Sequence, residues 1–233
     1  MADFPRASTA ENAIRRRKSA RKMLEQGRQV SPKALDLMEQ LQLQGSDLNA
    51  QIEELAKSDG FRRQYAENML TEILNDAIEG TEADMGNIQV YDAKAARLII
   101  RVQHGFRRPF LDFFDSVHSG EAACGTALQS GTRVVVSDVT DSPIFRHGDS
   151  LGVLLDAGVR SVQSTPIVTK LGTVLGMLST HYRTLRAFAE RDLQLIDHFA
   201  CKAAAIIEWQ QAPKHDLKGS LATLVLLFCF LVH

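Results

Sequence analysis

The sequence predicts an α+β fold, with an antiparallel sheet flanked by helices and preceded by an N-terminal helical extension. Apolar residues alternate with polar ones in residues 85–91 and 97–104, and again in residues 160–168 and 174–182. Only a short connection separates the two members of each pair. Because strands joined by short turns pair in opposite directions, we expect an antiparallel sheet.

Helical patterns surround these strands. From Phe61 to Glu79 the apolar residues form a wide stripe typical of a helix laid on a sheet, and Gly80 is expected to end it. A last helix is expected from about Phe188 to Gln210, stopped by Pro213. Shorter helices are expected near residues 109–114, 121–130 and 150–157, with one more strand at residues 132–137.

Changes in composition and the positions of glycine and proline residues divide the chain into three parts. Residues 1–60 are predicted to be the helical extension, residues 61–211 the α+β domain, and residues 212–233 an apolar tail. The 233 residues are 45% hydrophobic and 24% charged, with a formal net charge of −1. This balance is typical of a soluble protein and gives no electrostatic reason to expect a nucleic-acid partner.

The helical extension contains two features that could serve a partner. Arg15 to Lys22 include a basic cluster, which is either a solvated helix face or a contact for an acidic partner or nucleic acid. Further along, a heptad-like seam consists of Met38, Leu41, Leu48, Ile52 and Leu55, with Gly45 interrupting it. Such a seam fits a helix folded onto its own domain, or a signalling helix that forms a homodimer.

The tail from Leu221 to Val232 is an uncharged run of twelve residues. A membrane-spanning helix needs roughly 20 apolar residues, so the run is too short to cross a bilayer. Packing against the domain or a partner, contact with a membrane surface, and a loose tail remain open alternatives.

Cysteine and histidine usage argues against disulfides and metals. Cys124, Cys201 and Cys229 are far apart, with no CxxC spacing and no secretory signal, so we expect a reducing, cytoplasmic location. The seven histidines lack metal-ligand spacing, so no metal site is expected.

Polar residues inside the apolar strands indicate a binding site. Buried polar groups need partners, and pockets hold small ligands through a few polar groups among apolar walls. Half of these residues could instead face solvent on an open sheet, and His181 could be a structural histidine. Asp138 and Asp141 are expected to organise a turn. The candidate ligand contacts are Asn87, Gln89, Cys124, Ser164, Ser179 and His181.

Several short motifs follow one another in a characteristic order. They are Ala83 to Val90, Gly120-xxx-Cys124-Gly125-xx-Leu128-xx-Gly131, Gly158 to Pro166, Leu175 to Ser179 and Glu190 to Asp197. From about Phe61 to Trp209 this order resembles GAF domains, the small-molecule sensor modules of bacterial signalling proteins. The resemblance implies a GAF/PAS-like sheet with helices on one side and a ligand-binding lid on the other. It also implies a regulatory protein that binds an unidentified small molecule and signals to a protein partner.

Some GAF domains resemble free methionine-R-sulfoxide reductases, which use several cysteines in the pocket. Such an enzyme needs one thiolate to attack and a second thiol to resolve the intermediate. Cys124 lies in the central helix motif, but residues 139–147 contain no second cysteine, and residues 150–166 contain none for bilin attachment. We therefore expect no enzyme and no catalytic residue, with Cys124 as a core residue or a redox sensor. An interaction scaffold with a filled core is the alternative class.

Overall fold

The computed structural model describes residues 57–146 and 149–213. The elements are α1 (Asp59–Thr81), β1 (Met85–Asp92), β2 (Arg97–His104), α2 (Arg108–Phe113), β3 (Val117–His118), α3 (Ala122–Ser130), β4 (Val134–Val136), a 3₁₀ turn (Pro143–Phe145), α4 (Ser150–Asp156), β5 (Ser161–Val168), β6 (Val174–Tyr182) and α5 (Glu190–Gln211). In these ranges the strands form one six-stranded sheet in the order β3-β2-β1-β6-β5-β4.

All neighbouring strands in this sheet run antiparallel, which confirms the predicted fold class. The strands of the two long hairpins begin and end within one residue of their predicted bounds. The sequence did not predict β3, whose two residues pair with Arg97 and Leu98. Two residues are too few to produce a visible alternation of polar and apolar side chains.

Helices α1 and α5 pack against each other and cover one face of the sheet. Ile73, Leu74 and Ala77 on α1 are completely buried, as the apolar stripe predicts. Arg62 is also buried, and its guanidinium donates to the carbonyls of Trp209 and Ala212, both at 2.7 Å, and to that of Gln210. These bonds tie the start of α1 to carbonyls at the C-terminal end of α5 and just beyond it.

The sequence predicted that Gly80 ends α1, but the helix continues to Thr81. The residue after the helix is Glu82, which adopts the left-handed conformation with φ 54°. Gly80 lies inside the helix, where an added Cβ would lie 2.6 Å from Leu195 Cδ2 on α5. The small size of Gly80 therefore allows the two helices to approach each other, rather than ending α1.

Several predictions concern residues outside the described ranges. These are the basic cluster, the heptad-like seam, the part of the extension before residue 57, Cys229 and the run from Leu221 to Val232. Among the described helices, none is long and apolar enough to cross a membrane.

Candidate ligand-binding site

The face of the sheet opposite α1 and α5 is covered by α2, α3, the 3₁₀ turn and α4, which we call the lid. The lid and this face share a second hydrophobic core that includes Leu98, Phe106, Val117, Ala127 and Met177. Within it, a cavity of about 20 Å³ lies between sheet and lid. The lining residues are Asn87, Gln89, Phe110, Phe114, Ala122, Ala123, Cys124, Phe145, Leu154, Val162, Ser164, Ser179 and His181.

All six candidate ligand contacts predicted from the sequence line this one cavity. Strand register brings three of them into a row, because Asn87 pairs with Ser179 and Ser179 pairs with Ser164. The hydroxyl oxygens of Ser164 and Ser179 are 2.8 Å apart and form a hydrogen bond. The alternative that half of these side chains face solvent is wrong, because every one of them is buried between the sheet and the lid.

A β-bulge adjoins the row. The register between β1 and β2 shifts so that Ile88 pairs with Val102 while Gln89 pairs with Ile100, which leaves Arg101 as the extra residue. Bulges sharpen the local twist and re-aim side chains, and they are common beside functional sites. Here the bulge lies directly beside Gln89.

Three buried polar atoms in the cavity wall have no hydrogen-bond partner within the described part of the chain. They are Oδ1 of Asn87, Oε1 of Gln89 and Nδ1 of His181. Leaving a buried polar atom unpaired costs about 1–3 kcal/mol, and native proteins contain few such atoms. Three of them lie together at one cavity, a setting in which such atoms are ordinarily paired by an ordered water molecule or a ligand.

His181 is neutral at physiological pH. Burial lowers its pKa to about 3, because the charged imidazolium would lose its hydration. Its ring contacts Phe106 and Phe110 edge to face, at centroid distances of 4.9 and 5.9 Å. A neutral imidazole offers one nitrogen as a donor and the other as an acceptor.

Cys124 is a protonated thiol in the lid. Burial raises its pKa to about 11, and this outweighs hydrogen bonds from the backbone of Gly125 and the Gln89 side chain that favour the thiolate. The other lining residues include no Asp, Glu, Lys or Arg. As far as residues 57–146 and 149–213 form it, the cavity wall is therefore uncharged at neutral pH.

The apolar part of the lining was not predicted as part of a site. It consists of Phe110, Phe114, Ala122, Ala123, Phe145, Leu154 and Val162. The sequence feature that indicates part of this lining is the high proportion of phenylalanine in the short segment from Pro109 to Phe114. Ala122 has a φ of 50°, which is strained for a residue with a Cβ, so the lid stores backbone strain beside the cavity.

The turn after β4 is organised by Asp138, as predicted. Its Oδ1 accepts hydrogen bonds from the Thr140 hydroxyl at 2.7 Å and from the Thr140 backbone N–H at 2.9 Å. These bonds, with the nearby Arg160, hold the pKa of the Asp138 carboxyl below its usual value. The backbone N–H of Asp141 donates to the Asp138 carbonyl at 3.4 Å, which places Asp141 in the same turn.

A family model described as the GAF domain matches residues 66–208, which include every residue that lines the cavity. The chain belongs to the GAF domain family. Among curated proteins, none matches this chain.

Solved structures show the same GAF fold. One is the GAF domain of a phosphoenolpyruvate-protein phosphotransferase from Coxiella burnetii, with 15% identity, 80% of this chain and 93% of that chain covered, and a TM-score of 0.53. Another is the PixJ GAF domain of Thermosynechococcus elongatus in its blue-light absorbing form, at 12% identity, 70% and 94% coverage and a TM-score of 0.53. A third is type II free methionine-R-sulfoxide reductase from Thermoplasma acidophilum, at 15% identity, 63% and 95% coverage and a TM-score of 0.52. At these identities the likeness concerns the fold.

The chemistry available in the cavity of this GAF domain is hydrogen bonding within an apolar enclosure. Within residues 57–146 and 149–213, no three His, Cys, Asp or Glu side chains group so that they could hold a metal ion. The polar groups all project from β1, β5 and β6, whereas the lid supplies phenylalanine, alanine and leucine side chains and the Cys124 thiol. The sheet therefore offers the directional contacts, and the lid supplies most of the apolar surface.

Proposed function

We propose that this protein is a cytoplasmic sensory or regulatory GAF protein that binds a small molecule in the cavity and passes the signal to a protein partner. The observation that carries the proposal is the set of three unpartnered polar atoms on Asn87, Gln89 and His181, all buried at one cavity. A bound molecule that pairs with these atoms would recover the free energy that the fold loses by leaving them unpaired.

The volume of the cavity bears on how a ligand would enter. A space of about 20 Å³ is close to what one water molecule needs, whereas pockets for larger ligands measure about 300–1,000 Å³. A metabolite therefore requires the lid to move away from the sheet. Such a movement would give the protein two states, one with the lid closed on an unfilled cavity and one with the lid displaced around a ligand. A ligand that binds only the second state shifts the population toward that state.

We propose further that the protein signals without catalysing a reaction. Cys124 is the single cysteine among the lining residues, and its raised pKa keeps it in the unreactive thiol form. Sulfoxide reduction by the two-thiol route would need a second cysteine in the same pocket.

An interaction scaffold is a second candidate, and the small volume of the cavity favours it. In that case the lid and sheet form a nearly filled core, and no metabolite binds. The predicted homodimer, which would form through the N-terminal extension, is compatible with both candidates.

Native mass spectrometry of the purified full-length chain separates these candidates. We expect a dimer that carries an added noncovalent mass, and we expect Asn87→Leu to lose that mass. Cys201→Ser changes an exposed residue of α5 and should retain it. A wild-type protein without added mass, and without thermal stabilisation by any member of a metabolite library, would favour the scaffold. A monomer would overturn the proposed dimer.

A further inference from the structure

We propose that the ligand of the cavity is an uncharged molecule that presents at least two N–H or O–H donors to the sheet and an apolar body to the lid. This inference rests on the proposed function, which it deepens by assigning a chemical class to the ligand. It follows from the type of the unpaired atoms, the absence of charge in the wall and the arrangement of the phenylalanines.

The two fully buried atoms on β1 that lack a hydrogen-bond partner among the described residues are both acceptors. Oδ1 of Asn87 and Oε1 of Gln89 are carbonyl oxygens, which accept hydrogen bonds and cannot donate them. The two residues are separated by one position and project from the same face, at a spacing of about 7 Å along the strand. A ligand that satisfies both must therefore carry at least two N–H or O–H donors.

The other polar groups in the wall are uncharged and have hydrogen-bonding positions that a neutral ligand can use. The hydroxyls of Ser164 and Ser179 already bond to each other at 2.8 Å, and each retains capacity for two more hydrogen bonds. His181 is neutral, since burial lowers its pKa to about 3, so its unpartnered Nδ1 is not a site of fixed positive charge.

An anion in this cavity would meet no counter-charge from the described lining residues. None of the lining residues is Lys or Arg, and moving an unpaired carboxylate or phosphate out of water costs many kcal/mol. The same argument applies to a cation, because none of the lining residues is Asp or Glu.

The phenylalanines do not form an open cage for a cation. Phe110 is stacked on Phe106 with centroids 3.7 Å apart, and it contacts Phe114 at 4.5 Å. One aromatic face of Phe110 is therefore already occupied by a neighbouring ring. Cation recognition requires several free aromatic ring faces. The lid instead offers a general apolar surface.

Three planar molecules of nearly the same shape test this inference on the full-length protein. Benzamide is uncharged and has two N–H donors, benzoate is an anion without donors, and benzamidinium is a cation with four N–H donors. We expect millimolar benzamide to raise the melting temperature, with an apparent affinity at least about tenfold higher than that of either charged molecule. Asn87→Leu and Gln89→Met should each remove the benzamide response, whereas Cys201→Ser should retain it.

Two variants are used because either one could alter folding on its own, and the melting temperature of each without ligand reports this directly. If benzoate or benzamidinium binds as tightly as benzamide, and Asn87→Leu removes that binding, the inference is overturned while the proposed function stands. If none of the three binds, the inference is also overturned, and the added mass in native mass spectrometry decides the proposed function independently.

Discussion

Gln89 and Gln163 lie on opposite faces of the same sheet and are equally buried, each 1% exposed, but only Gln163 has both polar atoms of its amide paired. Nε2 of Gln163 donates to the Thr180 hydroxyl at 3.2 Å, and its Oε1 accepts from the Thr165 hydroxyl at 2.7 Å. On the cavity side, Oε1 of Gln89 has no partner in the described ranges. The amide of Gln163 is therefore fully paired within the fold, whereas the carbonyl oxygen of Gln89 is not.

Replacing these two glutamines should therefore change stability in opposite directions. Gln89→Met removes an unpaired buried acceptor and a hydrogen bond to the weakly accepting Cys124 sulfur, and it keeps the side-chain volume, so the free energy of unfolding should rise by up to about 1 kcal/mol. Gln163→Met leaves the hydroxyls of Thr180 and Thr165 with fewer partners and should lower it by about 1–3 kcal/mol. Urea denaturation of both variants beside the wild type measures the difference. A loss of stability in Gln89→Met equal to that in Gln163→Met would show that the cavity-side amide is satisfied in solution.

His181 should make the protein sensitive to acid. Its pKa is about 3 in the fold, against 6.5 ordinarily, so between these values the unfolded chain binds a proton that the folded chain does not. Stability is therefore complete above about pH 6.5 and falls as the pH is lowered through this window. Between about pH 7 and pH 5 the contribution of His181 to the loss is about 2 kcal/mol.

His181→Gln removes this contribution, and the difference between its pH profile and that of the wild type isolates it. His198→Gln, which replaces an exposed histidine on α5, serves as the matched control. Equal pH profiles for His181→Gln and the wild type would mean that His181 is not held neutral by burial.

Cys124 should react slowly with thiol reagents in the folded protein. Burial raises its pKa from 9.0 to about 11, which reduces the thiolate population about a hundredfold at neutral pH. In a chain with Cys201→Ser and Cys229→Ser, labelling of Cys124 should be complete only after unfolding. The same chain labelled in denaturant is the control, and rapid labelling of the native protein would indicate an activated thiol or an open lid.

Two glycines in lid helices should respond oppositely to alanine. At Gly125 in α3, an added Cβ would lie 2.2 Å from the carbonyl oxygen of His118, so Gly125→Ala should cost about 1–3 kcal/mol. At Gly152 in α4 nothing lies within 4 Å, so Gly152→Ala should stabilise by up to about 1 kcal/mol through helix propensity. Thermal unfolding measures both, and a neutral Gly125→Ala would show that the contact with His118 relaxes at little cost.

The elements that the sequence predicted well are those with a clear period. Alternation located both strands of each long hairpin, and it also placed Asn87 and Gln89 on one face, because residues two apart in a strand share a face. The candidate contacts on the other two strands followed from polar residues that interrupt apolar runs. The prediction for Gly80 was wrong because a glycine near a helix end can serve either a turn or a close helix contact, and local sequence does not distinguish these.

The sequence by itself determined the α+β architecture, the antiparallel pairing and the six polar or thiol side chains that line the cavity. The tertiary structure decided that Asn87, Ser179 and Ser164 form one row, since that depends on register between strands distant in the chain. It also decided which buried polar atoms lack partners and which aromatic side chains cover them. Side-chain pairing and cavity volume arise from the packing of distant segments, and no local period in a sequence encodes them.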